Sequence, residues 1–68
     1  MVERQTFLIV FNEEGIQAKG VEGITLTNVI HVEPTDFLVY FVTLQENPKL
    51  IDTLDIRTDY IDRIELLL

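Results

Sequence analysis

Three stretches without a formally charged side chain, Gln5 to Asn12, Gly23 to Val32 and Phe37 to Gln45, occupy much of a chain of 68 residues. All three are rich in β-branched and aromatic residues. Turn chemistry separates them: Asn12-Glu13-Glu14-Gly15, Gly20-Val21-Glu22-Gly23, Glu33-Pro34-Thr35-Asp36 and Glu46-Asn47-Pro48-Lys49. Strands are the expected outcome. Ile16 to Lys19 is expected to return antiparallel to the first strand and to bend at Gly20. The middle stretch alternates, with Ile24, Leu26, Ile30 and Val32 on one side and Thr25, Thr27, His31 and Glu33 on the other, so one of its faces should be wet. Phe7 to Phe11 and Phe37 to Val42 do not alternate, and both faces of those strands should be apolar. Their outer faces then call for a curled-over strand, a terminal element or a second copy; the alternative is a small closed barrel whose surface tolerates aliphatic residues.

A domain of this size buries only about 60% of the surface its unfolded chain exposes. With no cysteine and one histidine, neither a disulfide nor a structural zinc site is available to reinforce it. A dense core or oligomerisation remains, and a composition that is 47% hydrophobic suits both. A homodimer through the apolar strands is therefore expected. The first residues, Met1-Val2-Glu3-Arg4, lack the basic and apolar regions of a secretory signal, and no apolar run approaches the ~18 residues of a membrane helix. The chain reads as a cytoplasmic protein.

The last twenty residues carry two patterns. As strands, Leu54, Ile56 and Thr58 oppose Asp55, Arg57 and Asp59, and Ile64, Leu66 and Leu68 oppose Glu65. As a helix from about residue 48, Asn47 would be the N-cap and Pro48 the first helical residue. Four aspartates at spacings of three and four would repel one another on a helix, which favours strands. The fold expected is thus a single domain, 1–68, mainly β: a small antiparallel sheet or partly open barrel of about five strands.

Catalysis finds little footing. There is no serine or cysteine nucleophile, and His31 reads as an ordinary half-exposed strand histidine. No catalytic residue and no cofactor is assigned. Asp52, Asp55, Asp59 and Asp62 lack the alternating ligands and turn glycine of a calcium loop, so no metal is assigned either. Gly20-Val21-Glu22-Gly23 has the form of a phosphate-clamping loop but places Glu22 at its centre, and it reads as a glycine-flanked hairpin turn.

The acids carry the remaining signal. Twelve carboxylates against five basic side chains give a formal charge of −7, a field that favours a basic partner and disfavours nucleic acid or an anionic membrane. They lie at strand ends (Glu13, Glu14, Glu22, Glu33, Asp36, Glu46) and in a series Asp52, Asp55, Asp59, Asp62, Glu65, interrupted only by Arg57 and Arg63. Successive acids of that series would stand roughly 5–6 Å apart on a helix or 10–13 Å apart along a strand. The residues expected to contact a partner are Glu13, Glu14, Glu33, Asp36, Asp52, Asp55, Asp59, Asp62 and Glu65.

In size, acidity and that C-terminal series the chain resembles the small acidic DNA-mimic inhibitors of phages and mobile elements. The resemblance implies competition for the DNA-binding face of a basic protein. Leu26 to Val32, followed by Leu54-Asp55-Ile56-Arg57 and Asp59 to Ile64, is also similar to the central and closing strands of Sm-like small barrels. That second resemblance implies an assembly module acting through apolar strand pairing. It does not favour RNA binding, because aspartates stand where those proteins carry basic and aromatic residues. The competing reading of the acids is a solvated surface that keeps a hydrophobic small protein soluble.

Overall fold

The computed structural model describes residues 4–44 and 51–67. They form one antiparallel sheet of five strands: β1 (Gln5–Phe11), β2 (Gly23–Pro34), β3 (Leu38–Leu44), β4 (Ile51–Arg57) and β5 (Ile61–Leu66), in the spatial order β4-β3-β2-β1-β5. A helix, α1 (Glu13–Lys19), joins β1 to β2, and a single 3-10 turn, Thr58–Tyr60, joins β4 to β5. β4 and β5 are consecutive in the chain yet lie at opposite margins of the sheet. The sheet curls but does not close.

The curl depends on β2, whose 12 residues serve two ladders. Its first half pairs with β1 (Leu26 opposite Phe7, Ile24 opposite Ile9) and its second half with β3 (Val32 opposite Phe41, Pro34 opposite Val39). Between the halves stands Asn28 at φ 59°, a left-handed conformation that asparagine tolerates better than most side chains. Both ladders shift register around this point. The shift changes which side chains face inward, so that Val29 is fully buried although simple alternation from Ile24 does not place it there.

Ile9, Phe11, Val39, Phe41 and Ile56 form the core, with Ile24, Leu26, Val32, Tyr60 and Ile61 packed against them. Complete burial of a side chain such as Ile9 or Phe41 contributes about 1.5–3 kcal/mol. Helix α1 packs at one end of this core. Asn12 caps it by accepting from the Gly15 amide at 2.9 Å, and Gly20 ends it at φ 77°. Gly15 is buried against Tyr60 and Phe11, where there is no room for a side chain.

Several expectations are corrected. Ile16 to Lys19 belongs to α1 and not to a returning strand: Asn12 at the cap, two glutamates in the first turn and Gly20 after Lys19 are a complete set of helix boundary signals within a short segment. Gly20 to Gly23 is consequently the passage from helix to strand, not a hairpin turn. The preferred reading of the last twenty residues holds, since 51–57 and 61–66 are strands, and the alternative of a continuous helix does not; its cap at Asn47 and Pro48 lies outside the described residues. Phe37 is not in β3, which begins at Leu38.

No second layer covers the outer face of β1 and β3 among the described residues. Polar neighbours flank their outward apolar side chains instead. Leu8 lies between Thr25 and Glu65, Val42 between His31 and Thr53, and Tyr40 between Glu33 and Asp55. Leu8, Val42 and Tyr40 are all left half-buried. The charged residues of β2, β4 and β5 thus border two apolar stripes.

Candidate partner-binding surface

One end of the molecule collects acids that are far apart in the sequence. The Asn12 amide donates to the Tyr60 carbonyl at 2.9 Å, and its side-chain amide donates to the Asp59 carbonyl, which docks the start of α1, with Glu13 and Glu14, on the 3-10 turn. The Thr58 amide donates to the Phe37 carbonyl at 2.9 Å, bringing Asp36 and Phe37 to the same turn. The Phe11 amide donates to the Glu22 carbonyl at 2.9 Å and adds Glu22 to this end. Asp55 stands one outward position along β4 from Arg57, opposite Tyr40. Glu13, Glu14, Asp36, Asp55 and Asp59 are therefore grouped around one end.

An aromatic side chain stands in this group. Phe37 is 81% exposed, the most exposed of the large apolar residues described. Its neighbour Thr35 makes a closed turn with Leu38, the hydroxyl donating to the Leu38 carbonyl at 2.8 Å and accepting from the Leu38 amide at 3.0 Å. The loop that presents Asp36 and Phe37 is thus held by its own hydrogen bonds. Arg57 brings a guanidinium to this end; it lies 5.2 Å from the centre of the Tyr60 ring and pairs with Asp59 at 3.3 Å.

The C-terminal series does not form a continuous acidic row. Asp52 and Asp55 fall on opposite faces of β4, and Asp52 lines a cleft of about 350 Å³ with Thr25, Leu26, Thr27, Thr43, Thr53 and Leu54. Asp62 and Glu65 flank Arg63 on β5, at 3.2 and 3.4 Å. The two arginines that interrupt the series therefore pair with three of its five acids. Glu33 is engaged as well, with His31 at 2.7 Å. Such exposed pairs contribute about 0–1 kcal/mol, but they reduce the charge offered to a partner.

All nine acids expected at the interface are exposed, and no polar or charged residue is buried among the described residues. No three of the described acids and His31 converge where an ion would sit. Glu13, Glu14, Asp36 and Asp55 make no ion pair among the described residues. Phe37 and Glu22 are additions that the sequence did not single out. The signal for Phe37 was its place directly after Pro34-Thr35-Asp36, which is turn sequence, not strand.

No helix among the described residues is long and apolar enough to cross a membrane. Comparison with protein-family models, curated proteins and solved structures finds no match to this chain.

Proposed function

We propose that this protein is a non-enzymatic binding module whose acidic end engages a basic protein surface, as an inhibitor that occupies the DNA-binding face of its partner would. The reading rests on one observation: backbone hydrogen bonds bring the segments carrying Glu13, Glu14, Asp36 and Asp59 to the same end of the molecule as the exposed Phe37. Carboxylates at the same end as an exposed aromatic side chain suit a partner surface rich in lysine and arginine, because the ring adds apolar area and a cation–π face to the charge. Helix dipole and turn chemistry also favour acids at Glu13, Glu14 and Asp36, so charge alone does not carry the reading.

The test is affinity capture from a cell lysate with duplex DNA as competitor, repeated with Glu13→Gln, Glu14→Gln, Asp36→Asn and Phe37→Ser combined. Capture of a basic protein that falls steeply with salt, is displaced by DNA and is lost in the variant is the expected result. Capture insensitive to both salt and the variant would overturn the proposal. A second reading, assembly by strand pairing, is favoured by the exposed Ile51 and Leu54 on β4 and Ile64 and Leu66 on β5, the two marginal strands.

A further inference from the structure

We infer that the Tyr60 ring and the Asp59 carboxylate form a guanidinium site, which Arg57 occupies in the free protein and an arginine of a basic partner takes over on binding. The inference rests on the function proposed above and names the partner side chain that this end selects. What identifies the ligand is the molecule's own occupant. The Arg57 guanidinium stands 5.2 Å from the centre of the Tyr60 ring and 3.3 Å from the Asp59 carboxylate. A ring face beside a carboxylate suits arginine better than lysine, because the planar group stacks on the ring while its N–H groups reach the acid.

The two halves of this contact differ in how firmly they are held. Asn12 pins the receiving half at two points, its backbone amide donating to the Tyr60 carbonyl and its side-chain amide to the Asp59 carbonyl. Tyr60 also packs against the core and against Gly15 of α1. The occupant is a long side chain that is 59% exposed. An ion pair this accessible to water holds its cation weakly, so one guanidinium can replace another there.

A displaced Arg57 has a carboxylate within reach. Asp55 lies two residues before it on the same outward row of β4 and makes no ion pair among the described residues. A swing of Arg57 toward Asp55 frees the ring and Asp59 for an incoming arginine without leaving the displaced cation unaccompanied. Until then Arg57 withholds both groups, and the contact is autoinhibitory. Arg63 offers the contrast: it pairs with Asp62 and Glu65 and has no ring contact among the described residues.

The probe is the peptide acetyl-Gly-Arg-Gly-amide, with its lysine counterpart as control, titrated at low salt into the intact protein and followed by NMR at the Tyr60 ring and the Asp59 amide. Arg57→Gln vacates the site and is expected to bind the arginine peptide about threefold more tightly than the parent, the size of one exposed cation–π contact, with a smaller gain for lysine. Arg63→Gln makes the same change in net charge and should leave the response of Tyr60 and Asp59 as in the parent. Adding Asp59→Asn to Arg57→Gln should cancel the gain; the Asp59 side chain is exposed, and circular dichroism checks that the fold is kept. Equal gains from Arg57→Gln and Arg63→Gln, equal affinity for the two peptides, or a gain that survives Asp59→Asn would each overturn the inference. Shifts confined to Glu13, Glu14 and Asp36 would overturn it while leaving the acidic-end proposal standing. No response at this end to either peptide, in parent or variant, would overturn both.

Discussion

Replacing Gly15 by alanine sets helix propensity directly against packing. On an exposed helix the change would stabilise by about 0.8–1.0 kcal/mol. Here the new Cβ would overlap the Tyr60 carbonyl oxygen and stand 2.9 Å from the Phe11 Cβ and 3.0 Å from the Tyr60 Cβ. The first obstacle is backbone, so a side-chain rotation cannot relieve it; α1 and the 3-10 turn must move apart. Overpacking of this kind costs about 1–3 kcal/mol. Separation also loosens the Asn12 to Tyr60 backbone hydrogen bond, worth about 1 kcal/mol. Setting the propensity gain against these losses leaves a net destabilisation of about 1–3 kcal/mol. For a domain of this size each kcal/mol lowers Tm by about 4–8 °C, so thermal unfolding followed by circular dichroism should show a fall of about 5–20 °C. Gly20→Ala is the useful comparison: it meets open space but must hold φ 77°, and should cost about 1 kcal/mol from backbone strain alone. A Gly15→Ala protein melting at or above the parent temperature would refute the argument, because propensity would then outweigh the contact.

Two further perturbations probe other joints of the fold. Asn12→Ala removes both the helix cap and the donor to the Asp59 carbonyl, and denaturant unfolding should show a loss of about 1–2 kcal/mol, toward the upper end for a cap; Asn12→Asp, which keeps the cap acceptor, should lose less. Asn28→Gly should leave Tm nearly unchanged, whereas Asn28→Val, which brings β-branching to φ 59°, should lower stability by about 1–2 kcal/mol.

The strands could be read from the sequence because their signals are local. Uncharged runs rich in β-branched residues, bounded by turn residues, gave β1, most of β2 and β3, and like-charge repulsion among Asp52, Asp55, Asp59 and Asp62 correctly weighed against a C-terminal helix. Helix α1 was also encoded locally, in Asn12, Glu13, Glu14 and Gly20, but its seven residues are too few to show helical periodicity convincingly. Burial of Val29 could not be read by alternation, since it depends on the left-handed turn at Asn28, where two ladders meet. The acidic surface was legible only in composition. Its grouping depends on contacts between Asn12 and Tyr60 and between Phe37 and Thr58, and the pairing of Arg63 with Asp62 and Glu65 on the local path of β5.

The division of β2 between two partners has a consequence for how the molecule comes apart. β1 and β5 depend on its first half, and β3 and β4 on its second half. Neither half owns a central strand of its own. Unzipping one ladder would leave β2 bare along part of its length and open the core that both halves share. Cooperativity in this small protein therefore comes from a backbone held in common, and the two halves are coupled into a single unfolding unit.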